Sequence, residues 1–217
     1  MATSNHTTIY TNLTDVIQEL CDAIDRPLKR IGQAVEDLDR FRDAPRGRIR
    51  LNVVADAAPL LLGPVMGTFA DRYPEIEVDV VVSNRMLDIV GEGFDAGIRY
   101  GGTVPEDMVT QRLSADTRWV VAGAPDYLDR FGTPNVPADL VEHRCLGVRL
   151  GNDRIYDWEF LGREGEFAVR VTSRITADDT RATLAMARAG AGLLYGPEGA
   201  IKPFVDRGEL RLVLAGC

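Results

Sequence analysis

The sequence predicts an α/β protein of two lobes preceded by a separate helical segment. Three observations carry the prediction. Short β-branched, alternating runs are interleaved with stretches of helical apolar spacing from residue 48 onward, the same alternation resumes beyond residue 111, and residues 13–41 follow a different, seven-residue period. At 217 residues the chain is long enough for one large domain or two small ones, each with its own core. With 45% hydrophobic and 27% charged residues the composition is ordinary globular usage, which excludes a disordered or collagen-like chain.

The elements follow in order. Ile17, Ile24, Ile31 and Leu38 recur every seven residues, with Leu20, Ala34 and Phe41 three residues on, which is the pattern of a two-helix seam. An amphipathic helix lying on its own domain would carry a similar stripe. Thr14 and Asp15 suit the helix start, and Arg40 and Arg42 its far end. Pro27 falls between Leu20 and Ala34, where an interior proline costs about 3 kcal/mol or forces a kink, so a bend or break is expected there. Residues 43–47 (DAPRG) form a turn-rich linker. Residues 48–54 then read as a strand, 59–73 as a helix stopping before Pro74, 76–82 as a strand, 86–94 as a short helix and 96–100 as a strand. That order implies a parallel sheet with right-handed crossovers.

Residues 111–122 read as extended, marking the crossing between lobes near 113–121. Short helices follow at 125–131 and 137–143, then strands at 146–150 and 167–175. A helix over 178–189 ends at Gly190, and a strand at 193–195, a helix at 199–206 and a strand at 210–214 complete the chain.

Several functions are disfavoured by composition. There is no apolar run near the ~20 residues of a membrane helix, and residues 1–10 have neither a basic start nor an apolar stretch, so a cytoplasmic protein without membrane contact is expected. The charge sum, 25 − 33 = −8, argues against broad phosphate contact by these residues. Cys21, Cys145 and Cys217 form no C-x-x-C pair and only His6 and His143 are available, so neither a disulfide framework nor a metal site is expected. No G-x-S-x-G elbow, phosphate loop, H-E-x-x-H or dinucleotide fingerprint occurs, and no catalytic residue or cofactor is nominated. His143 and Cys145 read as a loop histidine and a small buried thiol, Asp178 and Asp179 as a helix cap, and residues 190–192 as a tight helix-to-strand turn.

Binding is easier to motivate. In parallel α/β sheets ligands lie beyond the carboxyl ends of strands, where helix N-termini offer free N–H groups. The candidates are Asp56, Ala57 and Ala58 after the first strand, Tyr100 and Gly101 after the third, Arg149, Asp179, Thr180 and Tyr195. Arg99 or Arg149 would pair with a carboxylate, and Tyr100 and Tyr195 would form an aromatic wall.

Residues 47–51 (GRIRL), 69–76 (FADRYPEI), 93–101 (GFDAGIRYG), 124–128 (APDYL), 132–134 (GTP), 138–140 (ADL), 143–146 (HRCL), 189–192 (AGAG) and 208–210 (GEL) strongly resemble, in order and spacing, the effector-binding domain of LysR-type transcriptional regulators. The resemblance covers roughly 47–214. It implies a two-lobed fold like that of type 2 periplasmic binding proteins, a small-molecule effector in the interlobe cleft, and homodimers or homotetramers that act on transcription. Residues 1–45 then correspond to an N-terminal segment and linker or dimerisation helix built on Ile17, Leu20, Ile24, Ile31 and Leu38. Residues 46–217 correspond to the effector-binding domain, with lobe I at about 46–115 and 205–217 and lobe II at about 116–204.

Three departures from the family pattern stand out. Residues 1–12 are too short for a winged helix-turn-helix, so DNA contact is expected only through such a domain not present here. The chain stops at Cys217, where family members continue with a strand and helix, so a truncated first lobe is expected. Family members commonly place Ser or Thr in the turn after the first strand to meet an effector's carboxylate, whereas this sequence has Asp56-Ala57-Ala58, which leaves neutral or cationic ligands open. A transport receptor and an enzyme on the same fold are the alternatives; the heptad segment and absent export signal weigh against the first, and the missing nucleophile against the second.

Overall fold

A computed structural model describes residues 45–101, 109–162 and 165–215. The heptad segment, with Ile17, Leu20, Ile24, Ile31, Leu38 and Pro27, lies outside the described residues. The chain divides into two compact units. One joins Met1–Gly47 to Arg72–Glu77, and in its described part the Gly47 N–H donates to the Glu75 carbonyl at 3.2 Å. The other joins Arg48–Asp71 to Val78–Cys217 and holds the structure that follows.

Strand β1 (Gly47–Val53) leads through a turn into a π-helical stretch, Ala58–Leu62, continuous with helix α1 (Gly63–Arg72). Pro59 fits there because the first helical turn needs no N–H donor. Strands β2 (Ile76–Val82) and β3 (Ala96–Ile98) flank β1 in the order β2-β1-β3. β1 and β3 run parallel, with Leu51 opposite Ala96 and Val53 opposite Ile98, as the β-α-β reading requires. Residues 86–94 form turns and no helix. Gly91 and Gly93 make helix costly there, and the Asp88 carboxylate takes the Gly91 N–H at 2.9 Å, so the backbone turns on itself.

The second half comprises β4 (Trp119–Gly123), α2 (Pro125–Phe131), a 3-10 turn (Pro137–Glu142), β5 (Leu146–Val148), β6 (Trp158–Gly162), β7 (Gly165–Val169), β8 (Ile175–Ala177), α3 (Thr180–Arg188), β9 (Leu194–Pro197), α4 (Glu198–Asp206) and β10 (Arg211–Val213). Its central sheet, β10-β4-β9, is antiparallel throughout, while β5 and β8 are parallel. Strand β10 lies beside β4, with Val213 opposite Val121 and Arg211 opposite Gly123. The physical reason is burial. Leu210 and Val213 enter the two cores on either face of the β4 sheet. The single strand expected at 167–175 is two, β7 and β8, and β7 pairs with β6 in a hairpin that the acidic, glycine-rich stretch around it disguised.

One core joins Val121, Tyr127, Leu128, Leu140, Trp158, Phe160 and Tyr195; the other joins Val120, Ala122, Leu146, Leu184, Ala187 and Ile201 under α3 and α4. Strand alternation sends successive β4 side chains to opposite cores. Helix α3 ends at Gly190, φ 79°, where Gly190 and Ala191 donate to the Ala187 and Met186 carbonyls, a glycine-dependent stop.

Burial also sets an alkaline limit. It pushes the Cys145 thiol from 9.0 up to about 12 and the Tyr195 phenol from 10.0 up to about 12. The folded state therefore holds protons that the unfolded chain has released, and stability falls as pH rises. Full stability is expected below pH 9.0, with progressive loss toward about 12. Urea midpoints across that window check it; a midpoint independent of alkaline pH contradicts the burial of these groups.

Candidate functional site

The turn between β1 and the π-helical stretch is fastened by its own backbone. The Ala57 N–H donates to the Val54 carbonyl at 3.0 Å, and the Leu60 N–H to the Asp56 carbonyl at 3.1 Å. This places Ala57 in a small core with Val53 and Val54, Ala58 packs against it, and the Asp56 carboxylate turns outward. Its Oδ2 accepts a hydrogen bond from the Tyr100 hydroxyl at 2.7 Å and another from the Thr180 hydroxyl at 2.9 Å.

Thr180 opens α3, whose cap is Asp179: the Asp179 carboxylate accepts from the Arg181 N–H at 2.6 Å and from its guanidinium at 2.7 Å. Arg181 holds the Asp179 carboxyl below its ordinary range. Asn84, beyond β2, donates to the Asp178 carbonyl while accepting the Ala55 N–H at 2.9 Å. A third approach lies at Gly151, where any Cβ would collide with the Asn84 carbonyl. The turn after β1 is thus tied to the start of α3, which stands 124 residues away at the Asp56–Thr180 pair.

Beside this closure stands an aromatic wall. The Trp119 ring lies 5.5 Å from Tyr100 edge-on, 5.1 Å from Tyr195 and 5.9 Å from Tyr156. Tyr195 stacks on Trp158 at 5.3 Å and is pinned by its hydroxyl, which donates to the Glu159 carbonyl at 2.8 Å. Trp119, Val148, Asp178, Thr180, Thr183 and Tyr195 line a cleft of about 20 Å³. That is room for about one water molecule, far below the ~300–1,000 Å³ of most small-molecule sites, so the cleft is shut. Burial, then the neighbouring Asp56 charge, push the Tyr100 phenol well above its usual value and keep it a donor.

The structure therefore brings Asp56, Tyr100, Asp179, Thr180 and Tyr195 together. It does not bring Arg149, which is exposed and donates to the Asp153 carbonyl at 3.3 Å. Arg99 is turned inward onto the Asn52 and Ile98 carbonyls, at 3.2 and 2.9 Å, so its charge serves the strand ends. Ala57 faces core, and Gly101 is exposed beside undescribed residues. Trp119, Tyr156 and Asn84 escaped sequence reasoning; the only available signal was one of two tryptophans sitting at a lobe crossing. His143 meets the Tyr127 hydroxyl at 3.2 Å while the Cys145 thiol faces the Leu140 carbonyl at 3.7 Å, so the two do not form a nucleophile and base. Among the described residues no group of three or more His, Cys, Asp or Glu is placed to hold a metal ion, and no helix is long and apolar enough to cross a membrane.

The described residues form a mixed α/β domain. Residues 42–217 match the LysR substrate binding domain family, and the chain belongs to that family. The HTH-type transcriptional regulator YcaN of Escherichia coli (strain K12) is 31% identical over 210 residues, covering 97% of this chain and 68% of that protein. The HTH-type transcriptional regulator PgrR of the same strain is 28% identical over 202 residues, covering 93% of this chain and 68% of that protein. The chain thus spans about two thirds of the length of these relatives. Among solved structures, CrgA, a LysR-type transcriptional regulator from Neisseria meningitidis, superimposes with a TM-score of 0.69 at 22% identity, covering 99% of this chain and 68% of that chain. The fold is accordingly the two-lobed, periplasmic-binding-protein-like one of LysR regulatory domains.

Proposed function

We propose that this chain is the effector-sensing and oligomerising part of a LysR-type transcriptional regulator. A small molecule enters the cleft at Asp56, Tyr100, Thr180 and Tyr195 and shifts the balance between closed and open arrangements of the two lobes, which controls transcription. The observation that carries this reading is the Thr180–Asp56 hydrogen bond, made by a residue of the cleft lining to the turn after β1, which a ligand entering beside Thr180 would meet. Residues 13–41 pair subunits into a homodimer or homotetramer, and DNA is contacted through a winged helix-turn-helix outside these residues. The protein works in the cytoplasm and has no catalytic task, in keeping with relatives that are regulators of transcription.

Thermal melting against a metabolite library tests the reading. A ligand at a hundred times its Kd adds about 2.7 kcal/mol, and for a chain of this size that raises the melting temperature by roughly 5–10 °C. A library that never moves the melt overturns it.

A further inference from the structure

Resting on that reading, we infer that the effector is a small organic cation, with Asp56 as counter-ion and the Trp119–Tyr100–Tyr156–Tyr195 rings as the wall against which the cationic group packs. Among the described residues Asp56 accepts hydrogen bonds from two neutral hydroxyls, both on Oδ2, and forms no ion pair with a Lys or Arg, the Arg181 charge acting on it without contact. The neighbouring cation, Arg181, is held by Asp179 at 2.7 Å.

An anionic ligand would find little to bind. The described lining includes Asp178 and Asp179 and neither lysine nor arginine. Of the two arginines suited by sequence to pair with an acid, Arg99 is turned onto backbone carbonyls, and Arg149 stands outside the cleft lining and donates to the Asp153 carbonyl. The positive end of α3 is offset by its own cap, Asp179, with Arg181 bound to it. For a cation the same residues are favourable. A carboxylate supplies charge, and tryptophan and tyrosine faces attract ammonium groups, tryptophan best of the three aromatic types. The cleft of about 20 Å³ has to widen even for a small amine, which favours a small ligand. An ammonium also suits the closure itself: as a donor it satisfies Asp56 in place of the Thr180 hydroxyl, so binding and release of the Asp56–Thr180 bond are one event.

The test uses three probes of equal size and different charge, n-butylammonium, n-butanol and n-butyrate, titrated into the chain at constant ionic strength by calorimetry and melting. Butylammonium is expected to bind and raise the melting temperature, with butyrate inert. Asp56→Asn keeps an acceptor for Tyr100 and Thr180 but lowers butylammonium affinity about tenfold or more. Thr180→Val, which removes a competing donor and leaves Asp56 in place, preserves binding or strengthens it. Binding of butyrate, equal binding of butanol, or an Asp56→Asn protein that takes butylammonium as well as the parent overturns the cationic effector. Should all three probes be silent, the metabolite library decides: hits confined to amines uphold the inference, and hits among acids or neutral compounds overturn it while sensing stands. A silent library removes both.

Discussion

Trp158→Ala is expected to destabilise the protein by about 3–5 kcal/mol, a fall in melting temperature on the order of 10 °C. Trp158 is fully buried at the start of β6, in the core shared with Tyr127, Leu140 and Phe160. Its ring stacks on Tyr195 at 16°, and Tyr195 in turn stands 5.1 Å from Trp119 in the cleft wall. Truncation therefore leaves a cavity directly behind the site, and a loss of ligand response should accompany the loss of stability. Trp158→Phe separates the two contributions. The indole Nε1 is buried with no hydrogen-bond partner, so phenylalanine removes an unsatisfied donor while keeping most of the ring, and a much smaller loss is expected. Thermal and urea melts of both variants check this; an alanine variant melting within a degree or two of the parent would contradict the packing.

Gly192→Ala is expected to cost about 2–3 kcal/mol, an unusually large effect for one added methyl group. A Cβ there collides with the Arg144 carbonyl, which is backbone and has no free direction to move. That carbonyl accepts the Leu193 N–H at 2.8 Å, and Leu193 in turn accepts the Leu146 N–H at 2.8 Å, so the clash falls on the connection that holds β5 beside the 190–193 turn. Faster hydrogen exchange at the Leu146 and Leu193 amides, with a lowered urea midpoint, is the expected signature. Gly196→Ala is the control: its added Cβ would sit 3.6 Å from Ile201, ordinary contact distance, and should be nearly neutral.

Periodicity and chain punctuation made much of the fold legible. Helix α2 falls at 125–131 as the Pro125 start and the Gly132 stop demand, α3 begins behind the Asp179 cap and ends at Gly190, and Cys145 is the buried thiol its apolar strand suggests. Such features depend on contacts within a few residues, which a sequence displays directly. The hairpin β6–β7 was hidden because its inner face needs only Trp158 and Phe160, leaving charged residues to dominate the pattern between them.

The candidate site was legible as a set of positions and not as a set of bonds. Asp56, Tyr100, Thr180 and Tyr195 are strand ends and helix starts that any parallel α/β reading would nominate. That Asp56 takes the Tyr100 hydroxyl from 44 residues away and the Thr180 hydroxyl from 124 is decided by how distant segments meet. The same holds for Arg99, drawn inward by the carbonyls of Asn52 and Ile98, and for β10, whose partner is β4. By itself the sequence determined most of the elements and the ends of α2 and α3, because these rest on local backbone preferences, and its motifs carried the family resemblance. Only the tertiary structure decided which charges were already satisfied and that the Asp56 carboxylate meets the Tyr100 and Thr180 hydroxyls, because hydrogen bonds and burial are settled between residues far apart in the chain.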